Sequence, residues 1–413
     1  MSHLQTFDSQ NESQTQHSYF FHQDSSFLYT QSIQPSIANI TSQDLDYQLS
    51  AKHQCISTIK GNDSYISSIV IDGKFLYAGS SNKEIQMWKR DRLTSEFDQE
   101  YVSGSMMTSG KGAVKSIVAS SDKIFSAHQD HKIRVWKLDE NEEKLTHLAT
   151  LPTFGDRAIK LLMPKNHVQV SRNKKSTWVH HVDTVSALAV SKDGLVLYSV
   201  SWDITLKIWR TTDFKCLESV AHAHDDAIND VVVSSNGDVY TGSTDKRIKC
   251  WRKSPESGTH CLITTLNGHK SGINALALST NEHVLYSGAS DRCIMVWEKS
   301  DEDNMVAVDI LKGHAKSVLC LSVVSDLLCS GSADETIRIW RRIEKCYVCL
   351  AVLEGHKGPV KCLSTERDHS CLSDVTSASY IIYSGGLDAD IRVWQIFVPE
   401  VCISDDNLMY CHV

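Results

Sequence analysis

Serine, histidine and aspartate recur along this 413-residue chain at offsets that would suit hydrolase chemistry. In such chemistry a histidine takes the proton of a serine hydroxyl while a carboxylate orients the imidazole. The histidines are His181, His224, His269, His314 and His356; Ser199, Thr241, Ser287, Ser330 and Ser384 follow them, then Asp203, Asp245, Asp291, Asp334 and Asp388. A hydrolase needs one such set beside an oxyanion pocket, whereas these types recur five times at matching offsets, so the repetition assigns them to structure. No Gly-rich loop follows a strand and opens a helix, and no His-Glu-x-x-His or paired CxxC appears. The chain reads as non-catalytic and without a cofactor. Among its thirteen cysteines, Cys346 and Cys349 are the one tempting metal pair. They lie in a run that reads as a strand, where positions three apart face opposite ways, so the thiols read as small reduced fillers.

Each of the five sets ends in a tryptophan: Trp209, Trp251, Trp297, Trp340 and Trp394, with the aspartate six residues upstream and the hydroxyl residue ten upstream. Two more copies end at Trp88 and Trp136, with Asn82 and Asp130 at the first offset and Ala78 and Ser126 at the second. Their histidine slots hold Asn62 and Gly110. A repeat of roughly 40 to 45 residues signals propeller blades. Short runs of Val, Ile and Leu separated by Gly, Ser, Asn and Asp give four strands per copy. The prediction is an all-β, seven-bladed β-propeller.

In this register the pattern resembles WD40 repeats over roughly residues 54–397. The resemblance implies that the tryptophan ends the third strand of each blade and that histidine, serine or threonine, aspartate and tryptophan form a hydrogen-bonded tetrad. Blades one and two, without full tetrads, are expected to be the least stable. A ring must also be sealed, because an open seam exposes strand edges. Residues 55–59 match the fourth strand of a blade yet have no blade in front of them, so they are predicted to complete blade seven. Pro399 interrupts the competing segment Phe397–Ile403. The expected organisation is a disordered Ser/Gln-rich arm at 1–52, a propeller at 53–397 and a tail at 398–413. Two insertions depart from the repeat: a basic one at 152–178, carrying Lys160, Lys165, Arg172, Lys174 and Lys175, and a polar, idle one at 366–378.

The net charge of -8 offers no broad basic face, which argues against direct nucleic-acid binding. No stretch is long and apolar enough to span a bilayer, and the first fifty residues show no signal-peptide pattern. A monomeric cytoplasmic or nuclear protein with no membrane contact is expected. Surface recognition remains, and register locates it on the propeller's top face. The residue before each tetrad aspartate includes Gln129 and Trp202, and early positions of the first strands include Lys115, Asn229, Asn274 and Lys361. An indole at Trp202 suits a partner anchor, or else packs beneath the basic insertion.

The stretches Pro164–Asn166, Trp178–His181, Tyr198–Asp203 and Phe214–Val220 resemble the plant WD40 proteins of the JINGUBANG type. That resemblance implies a regulator that binds other proteins, including transcription factors. The alternative is a substrate adaptor of a cullin-type ubiquitin ligase. Against it, none of the seven tryptophans is followed by aspartate, so the Trp-Asp-x-Arg signature of many such receptors is missing.

Overall fold

The computed structural model describes residues 50–60, 64–90, 111–139, 144–155, 158, 179–300, 304–344, 346–368 and 377–399, with the backbone of five short strands at 105–106, 167–171, 174–177, 403–404 and 407–408. All of these lie in one compact unit, Asp46–Val413. The expected arm at 1–52 falls almost wholly outside the described residues, as do the slots Asn62 and Gly110.

Seven four-stranded antiparallel sheets follow one another along the chain. Blade four shows the pattern, with strands Ile228–Val233, Val239–Ser243, Arg247–Lys253 and His260–Asn267. Runs of Val, Ile and Tyr make the two inner strands favourable, and Ser-Asn-Gly and Ser-Thr-Asp turns bound them. The first strands of successive blades pack side by side, and that of blade seven, Val360–Arg367, packs on that of blade one, Ile66–Asp72. The ring is closed as expected by the N-terminal strand Lys52–Lys60, which pairs with Asp390–Pro399 of blade seven. The result is a seven-bladed all-β propeller.

The core lies between blades. Seven apolar clusters each join residues of two neighbouring blades, and each contains one repeat tryptophan, such as Trp251 with Tyr198, Val200 and Ile208 of blade three. Truncating one of these indoles should cost on the order of 3–5 kcal/mol. Close approach also constrains the second strands. A Cβ on Gly242 would meet Ile273 Cγ2 of the next blade at 2.8 Å, so only glycine lets these sheets meet there.

Blade seven corrects three boundaries. Its third strand runs past the expected propeller end at 397 to Pro399, with Val398 only 2% exposed, so the tail does not begin at 398. Pro399 sits at the last strand position, where its missing N–H breaks no ladder. The insertion at 366–378 is partly strand, since the first strand reaches Arg367 and the second starts at Ser377. It is not idle, because Glu366 takes the hydroxyl of Tyr383 at 3.2 Å and an ion pair from Arg90 of blade one. Within the basic insertion, 167–171 and 174–177 form a hairpin of their own, which places Lys174 and Lys175 on its second strand. Lys160, Lys165, Arg172 and Trp178 lie outside the described residues.

Candidate functional site

Five blades form the tetrad. In blade four, His224 Nδ1 lies 2.8 Å from Asp245, its Nε2 lies 2.8 Å from Thr241 Oγ1, and Trp251 Nε1 donates to that oxygen at 3.0 Å. The carboxylate fixes the tautomer: Nδ1–H donates to Asp245, Nε2 accepts the threonine hydroxyl, and the hydroxyl oxygen accepts the indole N–H. Asp245 also accepts the backbone N–H of Asp225, which pins the loop entering the blade. The same bonds join His181–Ser199–Asp203–Trp209, His269–Ser287–Asp291–Trp297, His314–Ser330–Asp334–Trp340 and His356–Ser384–Asp388–Trp394. Burial lowers the basicity of His181, His224, His314 and His356 despite the pull of their aspartates. For Asp334, burial pushes upward, but hydrogen bonds from Thr336 and His314 prevail and hold it at about 2.

Blade two reaches a similar end by another route, which the repeat pattern did not reveal. His128, on the blade's own second strand, puts Nε2 2.8 Å from Ser126 Oγ, which also accepts Trp136 Nε1–H at 2.8 Å. His128 Nδ1 donates to the carbonyl of Gly112 at 3.0 Å, so Asp130 is released to a two-point pair with Arg134 at 3.1 and 2.5 Å. The overlooked signal was a histidine in the position that holds Ser201, Ser243 and Ser332 in other blades, in a copy lacking the usual histidine.

Above these networks the first strands line the central channel, whose top mouth is a cavity of about 500 Å³. Lys115, Trp202, Asn229, Asn274 and Lys361, placed on this face by register, all border it. Gln129 is exposed at the turn equivalent to that of Trp202 but is not part of the lining. Asn229 and Asn274 spend their amides on seams: each donates Nδ2–H to the next blade's strand, to the carbonyls of Ile273 at 2.7 Å and Val318 at 2.8 Å. Ser67 and Ser186 do the same toward Val114 at 2.6 Å and Ile228 at 2.5 Å. These residues hold the ring together first.

Three residues from three blades meet at the mouth. The ammonium of Lys115 lies 5.6 Å from the ring centre of Trp202 and 6.0 Å from that of Tyr65, a cation held between two aromatic faces. Trp202 is still 41% exposed and Leu387 47%. Sequence reasoning missed Tyr65, which occupies no position of the repeat that stood out. Deeper in the wall, Asp230 accepts the N–H groups of Leu276 at 2.8 Å and Val231 at 2.9 Å, while removal from water pushes its carboxyl up to about 7.

The family of the WD domain, G-beta repeat, matches residues 53–89, 172–210, 214–252, 260–298, 305–341 and 347–395, more than half of the chain. This chain belongs to the WD40 repeat family. The segments matched in this WD40 protein leave out residues 90–171, which contain blade two. It is 26% identical to an uncharacterized WD repeat-containing protein of Schizosaccharomyces pombe over 50% of this chain and 65% of that protein. It is 24% identical to the ribosome biogenesis protein WDR12 homolog of Nematostella vectensis over 82% of this chain and 67% of that protein. It is 26% identical to the ribosome biogenesis protein YTM1 of Ajellomyces capsulatus over 63% of this chain and 45% of that protein. The chain thus spans two thirds or less of the length of these curated relatives. No helix among the described residues is long and apolar enough to cross a membrane.

Proposed function

We propose that this WD40 chain is a non-catalytic scaffold that binds other proteins at the top mouth of its channel. The observation that carries the reading is the Tyr65–Lys115–Trp202 cluster, which presents a partly exposed indole and a cation on a rigid seven-bladed ring. Lys361 and Leu319 complete the contact surface, since blades six and seven use thiols for their seam bonds: Cys320 Sγ reaches the Val360 carbonyl at 3.6 Å and Cys362 Sγ that of Ile66 at 3.9 Å. The resemblance of four segments to the JINGUBANG-type proteins supports a regulatory role in the cytoplasm or nucleus, with transcription factors or signalling proteins as the partners. The relatives named for ribosome biogenesis favour a second reading, a subunit of a ribosome-assembly complex. The ubiquitin-ligase adaptor is a third outcome.

Affinity purification with the intact chain beside Trp202→Ala and Lys115→Ala variants of unchanged thermal midpoint tests the site. Partners should be lost from the folded variants, and their identity separates the readings: transcription or signalling factors, assembly factors, or a cullin adaptor. Full retention by both variants would remove recognition from the mouth.

A further inference from the structure

Two residues before the tryptophan, the third strands of blades two, three, four, six and seven carry a cation: Arg134, Lys207, Lys249, Arg338 and Arg392. These cations have partners within their own blades. Lys207 Nζ donates to Ser219 Oγ at 2.6 Å, Lys249 Nζ donates to the Ala223 carbonyl at 2.7 Å, and Arg134 is paired with Asp130. Blade five carries Met295 instead. The thioether places no charge there, and a cavity of about 400 Å³ opens beside it. Met295 is its buried floor, packed so closely against Gly268 that a Cβ there would meet Met295 Cε at 2.5 Å. Ile310, 48% exposed on the outer strand Met305–Lys312, adds an apolar wall.

The rim carries the opposite character. Lys270, Arg292 and Lys312 are exposed and all border the cavity. Asp291, the one carboxylate among the described residues of the lining, is already committed to His269 at 2.9 Å and to the N–H of Lys270 at 2.8 Å. A cationic rim over an apolar floor thus stands on a chain whose net charge is -8.

We propose that this pocket on blade five binds a short acidic segment of a partner protein, one apolar side chain seated on Met295 and Ile310 and flanking carboxylates on Lys270, Arg292 and Lys312. Charge complementarity draws the segment in, and the apolar floor selects the residue it buries. A nucleic-acid backbone or a lipid headgroup would use the cations and leave the floor empty. The site is separate from the channel mouth and stands whether or not that surface binds partners.

Fluorescence anisotropy on the full chain tests it, with a labelled peptide of one leucine between two glutamates on either side. Two control peptides carry glycine for leucine or lysine for every glutamate, and phosphatidylserine vesicles form a fourth arm. The acidic leucine peptide should bind, and each control peptide should bind at least tenfold more weakly. Met295→Lys installs at this position the residue of blades three and four, and in protein that keeps the wild-type thermal midpoint it should lower binding at least tenfold. Lys270→Glu with Lys312→Glu should turn the preference toward the lysine peptide. The proposal is overturned by absence of binding at millimolar peptide, by equal binding of the glycine peptide, or by unchanged binding in the folded Met295→Lys variant. Vesicle binding that needs these cations and is unaffected by Met295→Lys would assign a membrane surface instead.

Discussion

Blade two and blade four each hold a buried tryptophan through a hydroxyl and a histidine, but the histidine comes from different parts of the chain. In blade four His224 lies in the loop that enters the blade, and its second nitrogen reaches Asp245. In blade two His128 lies on the second strand and its second nitrogen reaches a backbone carbonyl, that of Gly112. The difference separates two requirements that the tetrad usually meets together. Satisfying the hydroxyl beside the indole needs only an imidazole at the right place; pinning the entering loop needs the carboxylate as well. Blade two meets the first requirement and gives its aspartate to Arg134. The expectation that it lacks a tetrad therefore holds for the sequence pattern, while its tryptophan is anchored all the same.

The largest test of this contrast is His224→Ala, which leaves the Asp245 carboxylate, 5% exposed, with only the backbone N–H groups of Asp225 and Arg247 as donors. A loss of about 3 kcal/mol is expected, against about 2 kcal/mol for His128→Ala, whose other partners are neutral. Urea midpoints give the totals, and hydrogen exchange should show the loop at residues 221–227 opening only in the first variant. Equal losses, with both entering loops opened, would erase the distinction.

Acid gives the next effect. Burial, helped by the nearby Arg134 charge, lowers His128 to about 4 from its ordinary 6.5. Because the folded state resists this proton, His128 contributes its full stability above pH 6.5 and loses it as the pH falls toward about 4, a change on the order of 3 kcal/mol. His224, His314 and His356 are shifted in the same direction, so their blades weaken with the same sign. His128→Gln should flatten part of the decline in unfolding free energy between pH 6.5 and 4; an unchanged slope would show that His128 is not held neutral.

The smallest effect sharpens the role of the aspartates. Asp245→Asn should cost about 2 kcal/mol, since it weakens bonds to His224 and the Asp225 N–H. Asp130→Asn should cost about 1 kcal/mol, since the amide oxygen still accepts one of the two bonds of the largely buried pair with Arg134. Calorimetric midpoints of the two variants measure the order, and the reverse order would mean that the Asp130–Arg134 pair does the tetrad's work.

Much of the site could be read from register alone. Trp202, Lys115 and Lys361 came out at the channel because strand alternation and turn position are local, and the repeat carries both from blade to blade. Asn229 and Asn274 came out in the right place with a different role, because the carbonyls they bond belong to the next blade, some forty residues on. The longer strands of blade seven went unread for a related reason: the alternation of Tyr380, Ile382, Ile396 and Val398 continues the sheet, and Pro399 ends it without breaking it.

By itself the sequence determined the number of blades and the positions of their tryptophans, because each depends on spacing within one repeat of the chain; the five hydrogen-bonded sets were implied by the resemblance to WD40 repeats. Only the tertiary structure decided what lies across the seams: the ion pair from Arg90 to Glu366, the cation of Lys115 between Tyr65 and Trp202, and the pocket that Met295 leaves on blade five. Ring closure and blade stacking bring such residues together, and no periodicity along the chain encodes the distance between them.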